Sequence, residues 1–434
     1  MSVTRGEMKY VKFGNTDMMV SECCAGTMTW GSFNDKEDQA WEQMDALWDA
    51  GVNFFDTAEL YPVAFNYGKT TEIWMGNWLE NRVAAGKLTR DKIFLATKVN
   101  PMGIGCPIDE RAGKPHGYDK EIVFASCKAS IERMKCEYID LYQFHWPTRD
   151  VPIFGGAQFK LNGEDRPMGS FDTGKLEDFE RTVLSAKALI DEGLIKYWGL
   201  SNENSFGVTM ICMMCDKLGC PRPVSLQNDF SLVDRVYEND PLEACYRFGL
   251  VGLPYGSLAG GVLTGKYHKG GAKYAEKDAA ERPLAECRMR KCPEFQPRYG
   301  FPTAMVAAEK YIALAEKYDI SPAELAIAWA NSRWYNGAII IGTTTVRQVH
   351  ECVGAFKITL PECLMKAVDV IHEEFRSPVA FYANKAICME APWLEAPCHA
   401  STTDLSAVPA QFLGVPVISA LIKCYRSSSA KSED

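Results

Sequence analysis

Gly51-Val52-Asn53-Phe54-Phe55-Asp56-Thr57-Ala58-Glu59-Leu60-Tyr61 decides the reading of this chain. Gly51 ends an amphipathic helical pattern over residues 35–50, which opens after Asn34, a candidate N-cap. The apolar pair Phe54-Phe55 then reads as a short buried strand. Its polar residues, Asp56 and beyond, fall at the strand's C-terminal end.

The same unit recurs on both sides. Strands are expected at residues 24–27, 54–56, 93–98, 139–145, 197–201, 224–227, 250–255 and 338–341. Helices are expected at 35–50, 71–85, 122–134, 176–192, 205–218, 241–248, 304–318 and 346–355. Eight strand–helix units are what a closed α/β barrel, the (β/α)8 or TIM barrel, requires. The alternative, a doubly wound sheet, lacks its G-x-G-x-x-G turn. The nearest approach, Gly103-Ile104-Gly105, has Ile108 at the third glycine position and follows strand three.

Ahead of the first barrel strand, Tyr10-Val11-Lys12-Phe13 and Met18-Met19-Val20 flank Gly14-Asn15-Thr16-Asp17. This reads as a hairpin that plugs the lower mouth. Long loops over residues 100–118, 146–172 and 256–302 leave the C-terminal ends of strands, the face on which barrel enzymes build their sites. The chain therefore divides into a barrel over residues 1–376 and a C-terminal extension over 377–434. That extension is expected to be partly disordered.

The 434 residues are 47% hydrophobic and 24% charged, with 47 Lys and Arg against 56 Asp and Glu, a formal charge of -9. Such a balance argues against nucleic acid or an anionic membrane as partner. No apolar run is long enough to span a bilayer, and no secretory leader is evident. The expectation is a cytoplasmic protein whose 16 cysteines are reduced and mostly buried.

On the barrel reading, Asp56, Lys98 and His145 end three successive strands, and Tyr61 lies one short loop above Asp56. All four converge on one mouth. Together they suit proton donation to a carbonyl oxygen. Tyrosine is a weak acid at neutral pH, a nearby ammonium stabilises its phenolate, a carboxylate holds that ammonium, and a neutral imidazole orients the carbonyl. Singly, each residue has a plainer reading. Asp56 could cap a helix, Lys98 could be solvated, and His145 beside Trp146 could be a packing histidine.

With these residues in order, the chain resembles the aldo-keto reductases over roughly residues 8–376. The stretch from Gly51 through Asp56-Thr57-Ala58 to Tyr61 resembles the family signature. Asp56, Tyr61, Lys98 and His145 match its catalytic tetrad. Gly26-Thr27-Met28-Thr29, Tyr61-Pro62-Val63, Gly76-Asn77-Trp78-Leu79 and Gln143-Phe144-His145-Trp146-Pro147 resemble the Tas-like branch.

The resemblance implies NADPH/NADP+ bound across the barrel mouth and a small carbonyl compound as substrate. Thr27 and Met28 would touch the nicotinamide ribose with Asp56. Ser201, Asn202 and Gln227 would bond the carboxamide, and Tyr255 would stack on the ring. Gly256, Ser257, Leu258, Ala259 and Gly260 would wrap the pyrophosphate, with Lys266 supplying charge. Gly342, Thr343 and Thr344 lead into a helix whose N-terminus favours phosphate, and Gln348 and Glu351 match adenosine-contacting positions. Trp30, Tyr61, His145 and Trp146 would line the substrate pocket. Two departures stand out: the family often has Arg at the position of Gln348 and Asn at that of Cys352. Arg347 is adjacent to Gln348 but about 100° around the helix, so it is expected to point elsewhere.

Other motifs compete less well. Gly260-Gly261-Val262-Leu263-Thr264-Gly265-Lys266 has P-loop spacing, but Tyr267 stands where a hydroxyl should hold magnesium. Cys212, Cys215 and Cys220 lack a partner pair at zinc spacing, and Cys287 through Cys292 reads as an exposed basic loop. Potassium-channel β subunits keep the barrel and cofactor while acting mainly as regulatory partners. They carry Asn where this chain has His145. The expected activity is NADPH-dependent reduction of aldehydes or ketones with Tyr61 as general acid. The alternative is a cofactor-binding regulatory subunit with little turnover.

Overall fold

Period-two alternation along short apolar strands builds the centre of the molecule. The protein is described by a computed structural model covering residues 2–63, 70–101, 117–159, 176–277, 279–293 and 295–381. Eight parallel strands follow one another around a curled sheet. They are Cys23–Gly26, Phe54–Asp56, Phe94–Val99, Ile139–Phe144, Ile195–Ser201, Ser225–Gln227, Val251–Gly252 and Ile339–Gly342. Strand eight pairs with strand one, Ile339 opposite Cys23 and Gly342 opposite Gly26. Strands seven and eight are joined by backbone bonds from Gly252 N–H to Tyr335 C=O (2.7 Å), Gly337 N–H to Gly252 C=O (2.8 Å) and Ile340 N–H to Pro254 C=O (2.9 Å). The fold is the expected (β/α)8 barrel. Strand seven is shorter than expected because Pro254 has no N–H to donate.

Helices Glu37–Asp49, Thr70–Ala84, Lys120–Arg133, Leu176–Asp191, Ser205–Leu218, Leu242–Phe248, Pro322–Asn331 and Val346–Ala355 follow the strands in turn. A further pair, Pro302–Lys317 and Glu362–Glu374, packs together. Pro322–Asn331 and Glu362–Glu374 were not expected from the periodicity. Eight of the ten residues of Pro322–Asn331 are buried, so it carries no polar stripe. Its start was nevertheless legible, because Ser321 and Glu324 form a reciprocal capping box with Pro322 at the first position. Asn34 is not the cap of the first helix, which begins at Glu37 with Lys36 before it. Asn34 instead donates to Thr344 C=O at 2.9 Å, tying the loops after strands one and eight.

The expected hairpin forms from Tyr10–Lys12 and Met19–Ser21. Its Phe13, Met18 and Val20 are fully buried with Cys24, Phe54, Ala96, Leu141, Leu253 and Ile340, the inward residues of the lower strand layer. Phe13 meets Phe54 edge to face at 5.3 Å. Phe13→Ala is expected to cost about 3–5 kcal/mol by opening a cavity in this plug. Urea denaturation checks it, and a loss below about 1 kcal/mol would deny the plug its packing role.

Of the extension, residues 377–381 are described. Phe381 N–H donates to Gly155 C=O and Ala157 N–H to Phe381 C=O, each at 2.8 Å, so the segment ends on the loop after strand four. The expected disorder toward residue 434, residues 102–116 of the loop over 100–118 with its Gly103-Ile104-Gly105, and residues 160–172 of the loop over 146–172 lie outside the described residues. The loop over 256–302 is folded into short helical turns, among them Ala259–Thr264, Arg288–Lys291 and Pro297–Gly300. Among the described residues no helix is long and apolar enough to cross a membrane, and no group of three or more His, Cys, Asp or Glu is placed to hold a metal ion.

Candidate active site

The upper layer of inward side chains is polar. Strand register places Gly26 opposite Asp56, Lys98 opposite Gln143, Gln143 opposite Gly199 and Ser201 opposite Gln227. A side chain at Gly199 would meet Ser225 Oγ at 2.5 Å and Gln143 at 3.5 Å. The bare backbone there lets Gln143 reach across the barrel.

Lys98, fully buried, donates to Asp56 Oδ2 at 2.5 Å and to Thr57 C=O at 2.8 Å. Its Nζ is 3.5 Å from the Tyr61 hydroxyl. Asp56 Oδ1 accepts from Gln143 Nε2 at 2.8 Å and from Gln227 Nε2 at 2.9 Å. The carboxylate is thereby satisfied on both oxygens, the condition for keeping a buried charge. His145 meets the Tyr61 ring edge to face at 5.8 Å. Its Nδ1 is buried with no hydrogen-bond partner among the described residues. The four residues expected to converge do so.

Electrostatics sets the protonation of three of them, His145, Lys98 and Tyr61. Burial, reinforced by the Lys98 charge, pushes His145 well below its usual range, so it is neutral. Burial alone would lower Lys98, but Asp56 and Tyr61 together outweigh it and hold the ammonium charged. For Tyr61 the sequence predicts a lowered pKa. Lys98 does pull downward, but burial is the larger influence and Tyr61 ends above its ordinary value. The phenol is therefore a held proton donor rather than a resting phenolate.

Above this layer lies a cavity of about 510 Å³. It is lined by Thr27, Met28, Asp56, Tyr61, His145, Trp146, Ser201, Asn202, Gln227, Tyr255, Gly256, Ser257, Leu258, Gly260, Lys266, Gly342, Thr344, Gln348 and Glu351. Four expected site residues stand outside the lining. Lys98 sits beneath Tyr61. Trp30 is fully buried in the core, and Phe33 reaches the cavity from the same loop. Ala259 is buried in its own turn. Thr343 turns its hydroxyl to Gln43 Oε1 at 3.0 Å. The predicted carboxamide ligands are linked to one another. Ser201 donates to Gln227 C=O at 2.8 Å, Asn202 Nδ2 to His145 C=O at 2.9 Å, and Tyr255 to Asn202 Oδ1 at 2.7 Å.

Sequence reasoning missed Gln143, although it shares the inward face of strand four with His145 at the period-two spacing. It also missed most of the positive charge. Lys266, Lys277, Arg282, Arg288 and Arg347 line the cavity against two carboxylates, Asp56 and Glu351. Arg282 spans its edge, donating to Phe33 C=O at 2.8 Å and to Glu286 C=O at 2.8 Å. The Cys287–Cys292 segment is not an exposed loop: Cys287 and Cys292 are 3% and 2% exposed, and Arg288 faces the cavity. Arg347 also lines it, against expectation. Arg347, Gln348, Glu351 and Cys352 all line it, so the helix Val346–Ala355 presents one side, i, i+1, i+4 and i+5, to the cavity, and that side is wide enough to include Arg347. Arg347 is braced by Glu351 at 3.0 Å.

Residues 22–373 match the model of the aldo/keto reductase family. The Tas protein of Escherichia coli is 29% identical over 374 residues, covering 86% of this chain and 99% of that protein. An uncharacterised oxidoreductase of Bacillus subtilis, YrpG, is 28% identical over 84% of this chain and 96% of its own. A probable voltage-gated potassium channel subunit beta of Arabidopsis thaliana is 26% identical over 86% of this chain and 100% of its own.

Proposed function

The chain belongs to the aldo/keto reductase family, and we propose that it reduces aldehyde or ketone carbonyls with NADPH. The observation that carries this reading is the Tyr61 hydroxyl at 3.5 Å from a buried, charged Lys98, facing a cavity rimmed by five cations. The residues present fit the cofactor. A volume of about 510 Å³ is within the usual range for a ligand site. Its charge opposes that of the whole chain, as a polyphosphate requires. Thr27, Met28, Tyr255, the turn from Gly256 to Gly260, Lys266 and the helix beginning at Val346 would hold it. Lys277, Arg282, Arg288 and Arg347 add phosphate-facing charge. Bound there, the cofactor would supply the hydride for the carbonyl carbon.

The chain's own side chains handle the oxygen. Tyr61 donates its proton as negative charge develops there, acting as general acid. Lys98 stabilises the phenolate left behind, and Asp56, held by Gln143 and Gln227, fixes the ammonium beneath it. Neutral His145 hydrogen-bonds and orients the carbonyl. Trp146, Phe154, Phe33 and Leu60 give the substrate end an apolar, aromatic wall. The buried thiols Cys23, Cys24, Cys212 and Cys215 suit a reducing, cytoplasmic setting.

A panel of aldehydes and ketones with NADPH and NADH side by side tests the proposal. Turnover with NADPH preferred is the expected result, because the cationic rim favours the extra phosphate. Tight NADPH binding with no turnover across the panel would overturn the reductase reading. It would favour a regulatory subunit of the kind that the potassium-channel relatives are named for.

A further inference from the structure

Behind the proposed stacking residue Tyr255 lies a buried charged network that the chemistry above does not use. Gly256 has φ +77°, and a side chain there would meet Asp229 Oδ1 at 2.2 Å. The Asp229 carboxylate therefore lies directly against the turn that opens the phosphate-facing loop. Its backbone is bridged to Tyr255, and Phe230 N–H donates to Tyr255 C=O at 3.0 Å. Asp229 Oδ2 accepts from Arg298 Nη2 at 2.6 Å, from Arg298 Nε at 3.2 Å and from the Tyr299 hydroxyl at 2.7 Å.

Arg298 and Tyr299 are almost fully buried. Charge-assisted bonds in such surroundings are strong and directional. Arg298 also lies over the ring of Phe154, 5.8 Å away in the loop after strand four. One carboxylate thus connects the loops after strands four, six and seven where Phe154, Tyr255 and Tyr299 line the cavity.

Asp234 closes the turn that follows Asp229, exchanging backbone bonds with Ser231 at 2.8 and 3.1 Å. Its side chain is buried, and Oδ1 accepts only the Val236 N–H among the described residues, at 3.2 Å. Resting on the cofactor reading above, we propose that Asp229 is a positioning residue for the dinucleotide. Through Arg298 and Tyr299 it holds the Tyr255–Gly256 turn and its aromatic wall in place, with Asp234 buried in the turn that follows it.

Burial, then the Asp229 charge, pushes Asp234 up to about 8, against the pull of Arg298. The other groups facing the pair are Tyr255 and Tyr299, both raised well above the ordinary tyrosine value, burial being the main cause. Adjacent Arg235 is engaged by Glu238 and Asp369, with His372 beside them. Below about pH 8 Asp234 is neutral and leaves Arg298 to Asp229. Above it, a second negative charge competes with Asp229 for Arg298 behind a cradle for phosphates. NADPH affinity should then fall as pH rises through this range.

NADPH binding measured without substrate, by quenching of tryptophan fluorescence, tests this. Asp229→Ala is expected to raise the Kd about tenfold, with the KM for NADPH rising further than kcat falls. Asp234→Asn is expected to flatten the loss of affinity that the parent shows across about pH 8. The difference between parent and variant is the readout, because every other group that titrates in this range acts on both alike. Equal NADPH affinity in parent and Asp229→Ala, or identical pH slopes in parent and Asp234→Asn, overturns the proposal alone. Should Asp229→Ala fail to fold, the Asp234→Asn slope decides. A parent that binds no nicotinamide cofactor overturns this proposal and the reductase reading together.

Discussion

Tyr61→Phe is expected to lower carbonyl turnover about 10²- to 10⁴-fold, the usual worth of a positioned general acid, while NADPH still binds. The substitution removes one oxygen and leaves the ring. The edge-to-face contact with His145 persists, and so does the ring's position over Lys98, 4.9 Å from the ammonium. Lys98 keeps its bonds to Asp56 and Thr57, so no buried charge is stranded. Steady-state rates with a reactive aldehyde, paired with NADPH titration, check this. Retained turnover would remove Tyr61 from the acid role. A collapse of NADPH binding would instead place the hydroxyl in the cofactor site.

Lys98→Met is expected to damage both stability and catalysis. It leaves Asp56, 2% exposed, with two neutral amide donors and no cation. Removing one partner of a buried pair typically costs about 3–5 kcal/mol. Adding Asp56→Asn removes that charge and should recover much of the stability. It should not recover turnover, because no ammonium remains to stabilise the Tyr61 phenolate. Denaturation of the two single variants and the double variant, with rates for each, checks this. Additive stability losses would show that the pair is not energetically coupled.

The inward face was legible because period two is local. Asp56, Lys98 and His145 each end a strand, and the strand ends were readable from glycine stops and polar onsets. Gln143 was equally accessible by counting back two residues from His145. The helix Pro322–Asn331 escaped periodicity because it is buried on nearly all sides, yet its capping box was written in Ser321 and Glu324. The cations were harder. Arg282, Arg288 and Arg298 lie in a long loop without repeat, and only the bonds of Arg282 to Phe33 and Glu286, the bond of Arg298 to Asp229 and the place of Arg288 on the cavity wall show where they point.

The chain by itself determined the barrel, its hairpin plug and the four residues that meet at its mouth. Those follow from periodicity and from the rule that parallel strands present their C-terminal ends on one face. Tertiary structure alone decided the balance of forces at Tyr61, where burial outweighs the Lys98 charge. It also decided that Arg347 faces the cavity and Trp30 does not, and that Asp229 grips Arg298. Desolvation and long-range pairing depend on what surrounds a group in space, and no spacing along the chain records that.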